Sequence, residues 1–344
     1  MLAPGVAGAS SIAVTNCNDS GAGSLRQAVT GSSSGSTVTF SLASACSLIH
    51  ETSGSILISN NLTIDGPGSA ALAVSGNNAN SVFMISDLAT VTISGLTIED
   101  GNSDNGGGID NDGILTISGC TISGNSANNN LGFGGGIFND GTLVVSDTTI
   151  SDNTEANFGG GIESDDGVSM TVTDSTISGN QAENGGGGIE STGGTALAVT
   201  NSTISGNSIT GTGDGAGIST NGGSPTVTNS TIANNNAVNG AGIYNQGGAL
   251  TVSNSTIANN TDTTFGAGGI DNDPGTTSIG GTILSVDDGN CSIPSSDFID
   301  NGYNISDDAS CDFSNVGSIN NSSLVGRNLG LLGNNGGPTR QWLC

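Results

Sequence analysis

Residues 175–180 read Ser-Thr-Ile-Ser-Gly-Asn, and residues 159–162 read Gly-Gly-Gly-Ile. Both phrases recur. The isoleucine closing the glycine phrase falls at Ile109, Ile137, Ile162, Ile189, Ile218, Ile243 and Ile270, in steps of 28, 25, 27, 29, 25 and 27 residues. The isoleucine of the Thr-Ile phrase falls at Ile98, Ile122, Ile150, Ile177, Ile204, Ile232 and Ile257. Self-similarity at a period between 20 and 50 residues means one stacked unit per repeat, which makes the chain a solenoid.

The repeat is written in strand grammar. Ile56-Leu57-Ile58, Leu62-Thr63-Ile64, Val91-Thr92-Ile93 and Leu96-Thr97-Ile98 are short, β-branched runs bounded by Gly, Asn or Asp, with no helical period. Three such runs fill one period, so each circuit is a three-sided coil. The expected fold is all-β: a right-handed parallel β-helix of about nine coils with an N-terminal helical cap. At a strand spacing of about 4.8 Å the rod is on the order of 45 Å long, with a core one residue per strand wide.

Within the phrase, Ile177 points inward while Thr176 and Ser178 point outward, because neighbours on a strand face opposite ways. Gly179 and Asn180 then take the turn, where positive φ is wanted. The asparagines Asn125, Asn153, Asn180, Asn207, Asn235 and Asn260 form one column, whose amides can bond coil to coil as a ladder. The stacked isoleucines each contribute about 1.5–3 kcal/mol by burial.

Charge narrows the partners. Against 30 Asp and Glu stand three arginines and no lysine, a net charge of −27. Nucleic acid and anionic membrane both call for a basic patch, so neither is expected, whereas cations are. The content of 33% hydrophobic residues is too high for a disordered chain, and no apolar run of 18 residues is present to span a membrane.

The ends differ from the middle. Residues 1–10 contain Ala7-Gly8-Ala9, the small-x-small form of an export-signal cleavage site. Residues 11–37 make an N-terminal cap, in which 24–29 (Ser-Leu-Arg-Gln-Ala-Val) reads as a short helix and Arg26 as a cap salt bridge. The coils occupy 38–285, and 286–344 form a closing module. A solenoid needs such caps, because a bare end exposes core and strand edges. Six cysteines lack C-x-x-C spacing. Cys17 with Cys46 and Cys291 with Cys311 are candidate disulfides outside the repeats, Cys120 a small buried residue in a coil.

The phrases Gly-Gly-Gly-Ile (134–137, 159–162) and Ile-x-x-Asn (150–153) resemble the GGA[ILV] and FxxN repeats of polymorphic outer membrane proteins, with Ile in place of Phe. The stretch 19–29, DSGAGSLRQAV, and the segment from Gly302 to "LGLLGNNGGPTRQWL" are similar to the opening and closing signatures of secreted bacterial parallel β-helix proteins of the pectin-lyase-like superfamily. The closing signature resembles a module that precedes a surface anchor. The resemblance implies an exported, cell-surface, structural or adhesive protein whose partners are surface glycans, proteins of a host or neighbouring cell, or copies of itself. It implies no defined chemistry and no required cofactor.

The same superfamily includes polysaccharide lyases and hydrolases, and resemblance to the lyases would require an Arg or Lys beside calcium-binding carboxylates on the central coils. Arg26, Arg327 and Arg340 all lie in the terminal regions. Hydrolysis needs convergent carboxylates, and the neighbours Asp165-Asp166 and Asp287-Asp288 diverge on their strands. The hydrolases' Gly-His-Gly and Arg-x-Lys motifs are missing, with His50 far away in sequence. No catalytic residue is assigned, and polysaccharide cleavage stands as an alternative.

Acidic residues do recur after the glycine phrase: Asp110 and Asp112, Asp140, Glu163 with Asp165 and Asp166, Glu190, then Asp271 and Asp273. Stacked about 5 Å apart they would repel by nearly 1 kcal/mol per pair, and Ca²⁺ between them would relieve that. Against a continuous column, the coils at Ile218 and Ile243 read as Ser/Thr/Asn there. Two further expectations concern surfaces. Thr121, Thr149, Thr176, Thr203, Thr231 and Thr256 form a flat outward column that would suit ice binding, and stackable ends would permit head-to-tail filaments.

Overall fold

The computed structural model describes residues 9–127, 132–155, 157–263, 266–286 and 289–323. Among these, the one α-helix is Leu25–Thr30. The strands form sheets of twelve, ten, eleven and six members in which each strand's partners are the equivalent strands one circuit before and after. All pairings are parallel, as in Ile162↔Ile189, Val172↔Val199 and Ile177↔Ile204. The molecule is a right-handed parallel β-solenoid, the hand that strand crossovers take.

One circuit runs through Ile162–Ser164 in the ten-stranded sheet, Ser169–Thr173 in the twelve-stranded sheet, Thr176–Ser178 in the eleven-stranded sheet and Gln181–Ala182 in the six-stranded sheet. The last of these is a correction to the three-sided coil. Two-residue strands are too short to show a period-2 pattern in sequence. The expected count of about nine coils agrees with the ten-stranded sheet, and the longer sheets extend the stack at its ends. Strand Ser11–Val14 starts the twelve-stranded sheet inside the segment assigned to the cap, Ser36–Phe40 straddles the end of that segment, and Phe298–Asp300 ends the sheet inside the closing module.

The core is wider than one residue per strand. In the twelve-stranded sheet the five-residue central strands send two side chains inward, such as Leu143 with Val145 and Met170 with Val172, all fully buried, while the three-residue Thr226–Thr228 sends one. Five-residue strands have room for two inward positions, which three-residue strands in the eleven-stranded sheet do not.

Polar columns hold the corners. Asn180 Oδ1 accepts from the Asn153 backbone N–H (3.1 Å) and from Asn153 Nδ2 (2.9 Å), while its own Nδ2 donates to Ile150 O and to Asn207 Oδ1, both at 3.0 Å. The same pattern links Asn125 to Asn153, Asn207 to Asn235 and Asn235 to Asn260. Positive φ belongs to the residue before each ladder asparagine (Gly179 at +67°, Asp152 at +56°, Asn234 at +57°), whereas Asn180 is outside that region. Its amide reaches inward to stacked carbonyls, and the preceding residue absorbs the turn.

A second column at another corner runs Thr148, Ser175, Ser202, Ser230, Ser255, and each hydroxyl accepts the backbone N–H of the preceding coil at 3.1–3.3 Å. Cys120 stands at the head of this column, with its thiol donating to Ser118 O at 3.4 Å. A third lies inside the ten-stranded sheet, where Asn111 Nδ2 donates to Asn139 Oδ1 at 2.6 Å and Asn139 Nδ2 to Ser164 Oγ at 2.9 Å.

At the N-terminal end, Ser24 caps the helix by accepting from the Gln27 N–H, and Leu25, Ala28 and Val29 bury its inner face against the first coils. Arg26 lies over the outer rim. It pairs with Asp19 at 3.1 Å and with the fully buried Glu51, and donates to Ser55 O at 2.9 Å. Cys17–Cys46 and Cys291–Cys311 are disulfide-bonded, one at each end. Arg327, Arg340, Cys344, Asp287, Asp288 and residues 1–8 fall outside the described residues.

Candidate functional site

The outward face of the ten-stranded sheet departs from the small-residue pattern. The position after each glycine-phrase isoleucine is in strict register: Asp110, Phe138, Glu163, Glu190, Ser219, Tyr244, Asp271. Alongside runs a row of single bridges contributed by the fourth residue before that isoleucine: Phe133, Phe158, Gly185, Asp214, Asn239. The two rows form a groove parallel to the rod axis.

Aromatic rings occupy its first part. Phe133 and Phe158 stack at 6.5 Å between centroids with planes 6° apart, and Phe138 tilts against Phe133 at 6.1 Å. Farther along, a recess of about 250 Å³ is lined by Phe158, Gly185, Glu190, Asp214 and Tyr244. A second, of about 580 Å³, is lined by Asn239, Tyr244, Asp271, Asp273 and Ile293. Tyr244 belongs to both and joins them.

The carboxylates here are unusual because most are buried. Glu163 is 2% exposed, Glu190 4% and Asp271 9%. Burial, with the charges of Glu190 and Glu155 added, pushes Glu163 up to about 10. Burial raises Glu190 to about 7, against an opposing hydrogen bond from Ser219. Asp214 and Asp271 are also raised, chiefly by burial. One carboxylate oxygen of Glu163 and one of Glu190, the Oε2 atoms, have no hydrogen-bond partner.

The residues expected to form a calcium column divide between two places. Asp110, Glu163 and Asp271 lie in the outward row, where Asp110 is pushed up to about 7 by burial and by Asp112 and Asp140. Asp112, Asp140, Asp166 and Asp273 are exposed on the turn that follows, and Asp165 accepts from Thr192 Oγ1 at 2.7 Å. Among the described residues no three of these side chains gather as a metal-binding group. The outward residue of the Ile243 coil, expected to be small and polar, is Tyr244.

The threonine column is also interrupted. Thr149 is exposed, and Thr121, Thr176 and Thr256 are half-buried, but Thr203 and Thr231 are 0% and 9% exposed. Strand alternation fixes the side of the sheet from which a side chain leaves, not whether solvent reaches it. A continuous wet threonine face is therefore absent among the described residues.

Phe133, Phe138, Phe158, Asp214 and Tyr244 were missed in the sequence. They sit at the two positions flanking each glycine phrase that vary from coil to coil, whereas pattern reading finds positions that repeat.

The sequence matches the family model for the right-handed β-helix region over residues 6–212. No curated protein matches it. Among solved structures, a pectate lyase, Pel9A, is similar at 13% identity with a TM-score of 0.44, over 87% of this chain and 80% of that one.

Proposed function

This chain belongs to the right-handed β-helix family, and from that premise we propose that it is an exported, non-catalytic rod with a structural and adhesive role, which holds glycan chains along the groove. The observation that carries the reading is the groove itself: rings of Phe158 and Tyr244 beside Asn239 and acidic side chains, open along the rod axis. Aromatic faces flanked by a few polar groups suit sugar rings, and an elongated open groove suits a linear polymer. Two disulfides accord with an oxidising compartment outside the cytosol. No helix among the described residues is long and apolar enough to cross a membrane.

Binding of the purified protein to an array of linear glycans tests this. Saturable binding that Tyr244→Ala and Phe158→Ala each weaken, with little change in melting temperature, is the expected result. An array without any binder, or a binder indifferent to both substitutions, would overturn it. Cleavage is favoured by one observation, the in-register pair Glu163 and Glu190 with well-separated proton affinities. The release of reducing ends from any bound glycan would establish that reading in place of simple adhesion.

A further inference from the structure

Glu190 presents a buried problem in electrostatics. It is 4% exposed, one of its carboxylate oxygens has no partner, and it forms part of the wall of the 250 Å³ recess. Glycine at position 185 keeps part of this wall open. A Cβ there would stand 3.0 Å from Glu190 Oε2 and 3.0 Å from the Phe158 ring. What remains is a space bounded by an unpartnered carboxylate, an aromatic edge and the Asp214 carboxylate, which accepts from Asn239 Nδ2 at 2.6 Å.

Those three boundaries specify a ligand group. A compact cation with several N–H donors satisfies a lone carboxylate oxygen by a charge-assisted hydrogen bond and gains from nearby rings. A second anionic recess, around Asp271 and Asp273, follows beyond Tyr244. Glu190, Ser219, Tyr244 and Asp271 are successive register partners, so the Glu190 and Asp271 positions lie three coil steps apart, roughly 14 Å at the usual strand spacing, across the two adjoining recesses. Such a span calls for a linear ligand carrying cations at intervals.

We propose that the groove binds a linear amino-sugar oligomer with free primary amines, placing one ammonium against Glu190 and Asp214 and another against Asp271, with Tyr244 under the sugar between them. This rests on the glycan-binding reading above and narrows it to a chemical class. The overall negative charge would attract any polycation from a distance, whereas this recess adds an unpartnered buried carboxylate oxygen beside an aromatic ring.

Calorimetric titration of the full chain at neutral pH with a glucosamine hexamer, an N-acetylglucosamine hexamer and spermine decides the matter. Saturable binding of the free-amine hexamer is expected, at least about tenfold tighter than the other two. Glu190→Gln should weaken it by about tenfold or more, the size of a lost charged hydrogen bond. Asp214→Asn, at a half-buried position where misfolding is not at issue, should weaken it in the same direction. Equal affinity for the N-acetylated hexamer overturns the amine assignment and leaves glycan binding standing. Equal affinity for spermine overturns the sugar. Unchanged affinity in both variants assigns the binding to general surface charge, and binding of none of the three refutes the amino-sugar proposal, while the glycan array decides the broader reading.

Discussion

Replacing Asn180 by alanine tests the ladder where its hydrogen bonds are fully specified. The substitution removes four bonds at 2.9–3.1 Å: two accepted from Asn153 and two donated, to Ile150 O and Asn207 Oδ1. Their loss is not shared equally among the partners. Asn207 Oδ1 keeps the Asn180 backbone N–H at 3.0 Å, and Asn153 Nδ2 keeps Ile122 O at 3.0 Å. The Asn153 backbone N–H, in contrast, loses its acceptor inside the rod.

A buried donor left unpaired costs about 1–3 kcal/mol, and the space vacated by the amide adds to it. A loss of about 3 kcal/mol follows, which for a long chain lowers the melting temperature by roughly 5–10 °C. Thr149→Ala, at an exposed position in the neighbouring coil, serves as the control and should stay within about 0.5 kcal/mol. Asn180→Asp separates accepting from donating. A carboxylate can still accept from Asn153 but cannot donate to Ile150 O or Asn207 Oδ1, and it is fully buried, so it should be worse than alanine. Calorimetric melts of the three variants settle the matter. If Asn180→Ala melts with the control, the ladder is ornament and the aliphatic columns alone hold the coils in register.

Three further outcomes follow from the same geometry. Glu163, Glu190, Asp110 and Glu51 all have proton affinities raised by burial. Their stability contribution is complete below the ordinary carboxylate range and fades as pH rises through about 7 to 10, so the melting temperature should fall between pH 5 and pH 9, and Glu163→Gln should flatten that slope. Gly161→Ala should destabilise strongly in a thermal melt, because a Cβ would come 2.5 Å from Gly188 O; Gly124→Ala meets nothing within 4 Å, and should cost only the left-handed backbone penalty at φ +65°, about 1–2 kcal/mol. Converting Cys291 and Cys311 together to alanine opens a closure of 20 residues and should cost about 3 kcal/mol, read as a lower denaturation midpoint that reductant then shifts only through Cys17–Cys46.

The sequence made the stack readable because its most regular columns use a single residue type. Isoleucine recurs from Ile109 to Ile270, and asparagine from Asn125 to Asn260, so period and ladder could be read before any coordinates. The third polar column escaped notice because it is spelled Asn111, Asn139, Ser164, Ser191, Thr220, Asn245, Asn272. Any short side chain that accepts and donates fits there, so chemistry is kept while identity drifts. The groove was harder still. Phe158, Gly185 and Asp214 are equivalent positions with nothing in common, and their joint meaning comes from lying side by side. Solvent access was beyond reach as well, since Thr149 and Thr203 belong to one column and yet one is exposed and the other buried.

Two places along the rod meet the same difficulty, a carboxylate taken out of water and raised by burial, and only the cap sets an arginine against it. At the cap, Glu51 has Arg26 beside it, an ion pair whose remaining donors satisfy backbone carbonyls at the rim. In the groove no arginine or lysine is available among the described residues, so burial raises Glu163 and Glu190 and the proton serves as counter-charge. A proton neutralises the charge but leaves one Glu190 oxygen unpaired in the wall of the recess, close to Gly185. A ligand ammonium would supply both charge and hydrogen bond, displacing the proton as it entered. The preference for a cationic ligand is therefore a consequence of how the chain distributes its few positive charges: one at the cap, where it closes the stack, and none along the central coils, where the partner must provide them.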